Sequence, residues 1–513
     1  MLAMVSFLFP ILMALGAGAS RKSTTGEFLV GVGKADITGP AADVNLCGYE
    51  YLNQTAKGIH LRLLARTLIV SGTEEGAKRV AFVSIDTGMP SQLATKVIVE
   101  TLAKKLGPGV YTERNLLISS THTHSTPGGW QQYLLFQVSS LGFVQEAFDA
   151  VVSGVVRSVV RAHMALQPGS LSLNSGLLAG ANINRSPPAY VRNPSEERKR
   201  YETVGNDTDH IMQLLRVDAT DGSPLGMFNW FAVHGTSMNH SNDLLSGDNK
   251  GYASYQFERA IAAQQGRSQA FNSSDGGFVA AFASTNLGDV SPNTLGAFCQ
   301  DSGLPCDPIH STCHGKNELC IGRGPGRDQF ESTQIIGQKQ TDKAMDLWKT
   351  ASTEVSGGVD FRHTYLRMPG LKVHLNETHS VGLCKPAMGY SFAAGTTDGP
   401  GMFNFIQSSN SSNPFWNIIS HAIAKPSKEQ IACQAPKPIL IDSGDASWPY
   451  GWDPEIVPIQ ILRIGQLAIL GVPGEFTTMA GRRLREAMTS TLEDEGLIPK
   501  GEAVAVVAGL SNT

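Results

Sequence analysis

The stretch LLISSTHTHSTPGG, residues 116–129, decides how this chain is read. Leu116, Leu117 and Ile118 run into hydroxyl side chains, and His122 and His124 follow with one residue between them. In an extended backbone, residues i and i+2 point to the same side. Both imidazoles are therefore expected to face one pocket at the end of a strand. Neutral imidazole is the commonest protein metal ligand and the usual general base near neutral pH. A pair of hydrogen-bonded loop histidines reads the same way in isolation, so the rest of the chain has to discriminate.

The arrangement occurs five times, each an apolar run followed at once by a polar residue. VAFVSI (80–85) leads to Asp86, LLISS to His122 and His124, and MFNWFAV (227–233) to His234. FVAAFAS (278–284) leads to Asn286 and the GDVSPN loop, and LAILGV (467–472) leads through Pro473 and Gly474 to Glu475. Helix-like segments at 91–106 and 251–264 lie between them. This predicts an α/β catalytic domain built on a mixed sheet, with its site beyond the carboxyl ends of the strands. Residues 350–440, rich in turns and polar side chains, are expected to form long rim loops over that site. The segment from Cys299 to about Arg327 reads as a pinned insertion.

The chain has 513 residues, 41% hydrophobic and 17% charged, and a formal net charge of −4. Without basic runs, nucleic acid is excluded as the main partner. The N-terminus, MLAMVSFLFPILMALGAGAS, has an apolar core followed by Ala17-Gly18-Ala19, an A-x-A-like cleavage signal, so residues 1–19 read as a signal peptide. A missing Lys or Arg ahead of the core, and Pro10 within it, leave a signal anchor as the other reading. Either way a secretory route is expected, ending in secretion or in association with the ER, Golgi or cell surface. Seven cysteines fit that compartment. Cys299, Cys306, Cys313 and Cys320 recur every seven residues, a spacing that does not supply zinc-knuckle pairs and favours two local disulfides. Seven N-x-S/T sequons, at Asn53, Asn184, Asn206, Asn239, Asn272, Asn376 and Asn410, are compatible with glycosylation, though several sit in site loops.

Catalytic zinc typically takes three protein ligands and keeps a position for water, whose pKa it lowers towards ~7. His122, His234 and Glu475 give a His2Glu set, distant in sequence but alike in local context. A carboxylate emerging from GVPGEF after an apolar strand needs a partner charge or a metal. His124 reads as a neighbouring base or a further ligand. Ser291, in NLGDVSPN (286–293), is a candidate nucleophile, but no G-x-S-x-G elbow surrounds it. A turn in which Asp289, Ser291 and Asn293 bond the backbone locally is the competing reading.

Taken together, THTHSTPGG, NINRSP (182–187), HGTSM with SGDNKGYAS (234–254), NLGDVSPN, GYSFAAGTTDGP (389–400) and GVPGEFTTMAGRRLR (471–485) resemble the neutral (alkaline) ceramidases. The resemblance runs from about Val30 to the end of the chain, with the catalytic domain placed at 28–513. It implies a zinc amidase that cleaves the N-acyl bond of ceramide at a membrane surface, giving sphingosine and a fatty acid. It puts one zinc on His122, His234 and Glu475, and a catalytic role on Ser291. With metal-activated water available, Ser291 is read as positioning the substrate headgroup. It also implies that Gly48, His124 and Arg185 line the polar end of the pocket. The disulfides it implies pair Cys299 with Cys313, Cys306 with Cys320, and Cys384 with Cys433. Family members are further expected to carry a tyrosine zinc ligand just after VAGLSNT and then an immunoglobulin-like domain. By that measure the chain is incomplete at its C-terminus, and weak or absent activity is expected. A serine hydrolase acting through Ser291, and a truncated lipid-binding product, are the alternatives.

Overall fold

The computed structural model describes residues 28–266 and 277–511, so the candidate signal peptide (1–19) and the Asn272 sequon lie outside the described residues. All five apolar runs are strands. The large sheet is built from β1 (Phe28–Asp36), β2 (Leu64–Ser71), β3 (Arg79–Ile85), β4 (Leu116–Ser120), β5 (Gln167–Leu177), β6 (Ile211–Ala219), β7 (Pro224–Phe231) and β8 (Val279–Ser284). Its order is β8-β7-β6-β5-β1-β2-β3-β4, with Thr353–Glu354 pairing onto β5. The sheet is mixed: β3–β4 and β7–β8 are parallel, and the other pairs are antiparallel.

The strands bury both faces, and their side chains alternate between two layers. On β3, Val80 and Phe82 point to one core while Ala81, Val83 and Ile85 point to another. The second core is closed by helices α1 (Gln92–Leu106) and α2 (Gln145–Met164), through residues such as Ile98 and Val155. Ser91 starts α1 by accepting the Ala94 N–H at its side chain. The other half of the same face is covered by α3 (Asp248–Gln264) and α4 (Gln329–Lys349).

A second sheet packs on the opposite face. It runs β9 (Val359–Arg367), β10 (Ile456–Ile464), β11 (Leu467–Gly471) and β12 (Val504–Ala508), with β11–β12 parallel. Leu462, Ile469 and Val506 meet Phe82 and Trp230 in the core between the sheets. Helix α6 (Thr478–Asp494) covers the outer side through Leu484 and Met488. The result is four layers: helices, sheet, sheet, helix. Strand β9 corrects the expectation that 350–440 is all rim, because VDFRHTYLR pairs along its whole length with β10. No helix among the described residues is long and apolar enough to cross a membrane.

The insertion is a hairpin of Gly296–Cys299 and Cys320–Arg323, pinned by Cys299–Cys313 and Cys306–Cys320; Cys384–Cys433 closes a third loop, and Cys47 is free and buried. The Asn184 sequon is buried, with its amide donating to Asp207 O and Asp289 Oδ2, so it is closed to glycosylation.

Candidate active site

The large sheet bends until the carboxyl ends of its two outer strands meet. Ser284 at the end of β8 donates to Thr121 O beyond β4 (2.7 Å), and Thr123 bridges to Gly235 beyond β7. A Cβ on Gly235 would lie 2.4 Å from His122 O, so this approach requires glycine. His122 and His234 are thereby brought together from strands at opposite sides of the sheet.

The two histidines of THTH do not converge for the reason alternation suggests. Strand β4 stops at Ser120, and His122 has φ +65°, in the left-handed region. That conformation costs about 1–2 kcal/mol, and local bonds hold it. His122 N donates to Thr87 O (3.0 Å), and His122 Nδ1 lies 2.6 Å from Gly88 O. The ring is pulled towards β3, and the rings of His122 and His124 still end 4.6 Å apart. Gly48 sits directly against His124: a Cβ there would come within 2.4 Å of His124 Cγ. Tyr49 supports the other side of that ring, with centroids 4.6 Å apart.

The carbonyl partners set the tautomers. Nδ1–H of His122 donates to Gly88 O, and Nδ1–H of His234 to Val290 O (2.9 Å), so each Nε2 carries its lone pair into the site. Both lone pairs face the same carboxylate. His122 Nε2 is 3.3 Å from Glu475 Oε1, and His234 Nε2 is 3.2 Å from Glu475 Oε2. His124 Nε2 lies 3.2 Å from His122 Nε2. The ligand atoms of the three buried histidines lie within 4.8 Å of one another, an arrangement able to hold a metal ion. Lone pairs aimed at a carboxylate repel it unless a cation lies between, so this donor set fits a bound metal.

Burial and the imidazoles of His122 and His234 keep His124 well below the usual histidine range, and burial together with Arg185 lowers His234 to about 4. The Glu475 side chain, 37% exposed, is the open side of the cluster.

The facing wall is organised by Asp398, a residue that nothing in its local sequence singles out. GTTDGP reads as a turn, and it is one: the hairpin of Gly395–Thr396 and Gly399–Pro400. At its tip Asp398 Oδ1 accepts from Ser291 Oγ (2.5 Å) and Asn293 Nδ2 (2.8 Å), while Oδ2 accepts from Arg185 NH1 (3.1 Å) and Thr236 Oγ1 (3.3 Å). Although burial opposes it, Arg185 and the Ser291 hydroxyl keep Asp398 ionised, below its ordinary range. Arg185 also donates to Gly288 O (2.9 Å) and sits 3.9 Å from Glu475 Oε2. It spans both walls. Asp289 plays a different part, accepting the backbone and side-chain donors of Thr478 (2.7 and 2.8 Å) at the start of α6.

Every residue singled out in the sequence as a ligand or catalytic group thus lies in one cleft. Residues 28–513 match the family described as neutral/alkaline non-lysosomal ceramidase, N-terminal. The chain is 46% identical to neutral ceramidase 1 of Arabidopsis thaliana, covering 95% of this chain and 70% of the relative. Its fold is similar to a ceramidase complexed with C2, at TM-score 0.78 and 38% identity, over 95% of this chain and 68% of that one. It is also similar to the neutral ceramidase of Pseudomonas aeruginosa, at TM-score 0.76 and 35% identity, over 96% and 68%. The chain belongs to the neutral/alkaline non-lysosomal ceramidase family, and as an enzyme it is a hydrolase of the ceramidase class.

Proposed function

We propose that the chain hydrolyses the N-acyl amide bond of ceramide to sphingosine and a free fatty acid, with one zinc ion held by His122, His234 and Glu475. The observation that carries this reading is the pair of Nε2 lone pairs converging on a single carboxylate. When bound, zinc supplies Lewis-acid polarisation of the amide carbonyl and acidifies the water that attacks it.

The chain's own groups do the rest. Nδ1–H bonds to Gly88 O and Val290 O lock both imidazoles in orientation. His124 stays neutral, and its Nδ1 is buried without a partner among the described residues. A hydroxyl or amide of the substrate headgroup would satisfy it. Arg185, fixed by Asp398 and Gly288 O, presents a positive charge beside the reacting amide. Ser291 donates its proton to Asp398 and accepts from Asn293 N (3.0 Å), so a carboxylate occupies the place where a serine nucleophile would need an imidazole. This supports Ser291 as a positioning residue over the serine-hydrolase alternative. Gly48, having no side chain, lets its backbone close directly against the His124 ring.

The test is to strip the metal with a chelator, measure zinc per chain by mass spectrometry, and follow sphingosine release from ceramide. Release should vanish and return with added zinc. Full turnover by a metal-free chain would overturn the reading. We also propose a secretory route, supported by three disulfides and the apolar N-terminal segment. Glycosidase-sensitive mobility of the expressed protein tests it, and a cytosolic, unglycosylated product would contradict it.

A further inference from the structure

An ordinary surface helix turns its apolar side inward. Helix α5 (Pro414–His421) does the reverse. Trp416 and Ser420, one turn apart, face the protein, with Trp416 packed 5.2 Å from Phe405 and Ser420 buried. Phe415 and Ile418 face solvent, 62% and 75% exposed, with Ile419 beside them. The apolar surface continues sideways, since the exposed Phe403 ring lies 5.0 Å from Trp416 and Phe415 5.4 Å from it; the exposed Ile423 follows on the chain. Apolar clusters of this kind mark interaction surfaces.

Two further observations identify the partner. Residues 402–430 carry two exposed lysines, Lys425 and Lys428, against one exposed acid, Glu429, in a chain of net charge −4. The helix is also tied to the cleft. Tyr390 OH bonds Asn413 O and Asn417 Oδ1 (3.1 and 3.0 Å) at the start of α5, and residues 395–400 beyond Tyr390 form the hairpin that carries Asp398. The Cys384–Cys433 disulfide encloses hairpin and helix in one loop.

We infer that α5 and its flanks dock the chain onto a lipid bilayer, with preference for anionic lipid, and hold the cleft at the surface where the substrate resides. This rests on the ceramide-hydrolase reading. Aromatic and aliphatic side chains enter the headgroup–acyl boundary while the lysines stay at the headgroups. A two-fold contact between copies of the chain would set the same lysines towards one another.

The test floats the full chain with vesicles of phosphatidylcholine alone or mixed with phosphatidylserine. Phe415→Ser with Ile418→Ser should lower partitioning at least about tenfold on both. Lys425→Gln with Lys428→Gln should remove only the preference for phosphatidylserine. Hydrolysis of vesicle-embedded ceramide should fall with partitioning, while the rate on a monomeric short-acyl ceramide stays at the parent level. Unchanged partitioning in a folded Phe415→Ser, Ile418→Ser chain would overturn the inference. So would a parent chain that ignores vesicles but forms a dimer abolished by the same substitutions. A parent that floats with vesicles yet cleaves neither substrate would refute the hydrolase reading and leave the docking face standing.

Discussion

The buried cluster of Lys34, Arg66, Asp86 and Glu258 and the cluster of His122, His124, His234 and Glu475, open at Glu475, balance charge in different ways. In the first, two cations meet two carboxylates within the chain: Lys34 Nζ–Glu258 Oε2 at 2.6 Å and Arg66 NH1–Asp86 Oδ2 at 2.8 Å. In the second, three imidazoles and one carboxylate present acceptors to the same space. The first cluster pairs its own charges; the second needs a cation from outside. Asp86 and His122 follow apolar strands in the same way, so the sequence pattern alone does not separate them. What separates them is a neighbour on another strand, Arg66 of β2, which lies opposite Ser84.

The largest effect expected from this contrast is at the site. His122→Ala should lose zinc and at least about 10³-fold in activity, because one of three protein ligands is gone. Thermal stability of the metal-free chain should barely change. Full zinc occupancy in the variant, measured by mass spectrometry, would break the comparison from one side.

Asp86→Asn probes the other side. It leaves the Arg66 guanidinium buried opposite a neutral amide, and breaking a buried pair in this way costs about 3–5 kcal/mol. Burial already lifts the Asp86 carboxyl in spite of Arg66, so the pair has little reserve. Urea unfolding should show the loss, while zinc per folded chain stays at the parent level. Zinc loss in folded Asp86→Asn would mean that the two clusters are one site.

Asp398→Asn sharpens the assignment of the second wall. Arg185 loses its charge partner and Ser291 its acceptor, so kcat/KM should fall about 10²-fold, with zinc retained. Ser291→Ala should give a similar fall without metal loss. A fatty-acyl ester trapped on Ser291 would instead establish covalent catalysis.

The strand ends were legible because buried strands are apolar along their whole length and stop abruptly at polar residues. Helix starts shifted slightly: α3 begins at Asp248 rather than 251, because a buried carboxylate accepts the Ser237, Met238 and Asn249 N–H groups there. The left-handed turn at His122 was not legible, since it is imposed by bonds to residues 87 and 88, just beyond the end of β3. Asp398 was hidden for the same reason, its partners lying 105 to 213 positions away in sequence. Strand β9 alternates apolar and polar residues only over Val359–Arg362, and His363-Thr364 and Tyr365-Leu366 then break the period, so it was masked among its turn-rich surroundings.

Lys250 offers the smallest and most specific test. It sits in the first turn of α3, fully buried, and donates to Phe231 O (2.9 Å) and Ala283 O (3.1 Å), at the ends of β7 and β8. Unlike the cations of the first cluster, it meets carbonyls and the Phe231 ring. Burial therefore lowers it from an ordinary value near 10.5 to about 7. Between those values the unfolded chain binds more protons than the folded one, so stability rises with pH from about 7 towards 10.5. Lys250→Met removes the titrating group while keeping most of the apolar stem, at the cost of two carbonyl partners. The parent should gain urea midpoint between about pH 7 and pH 9, and the variant should lose that gain. Parallel curves would show that Lys250 keeps its proton in the folded chain, held by the two strand-end carbonyls alone. A buried cation would then need no carboxylate here, and charge matching would no longer distinguish a structural cluster from a metal site.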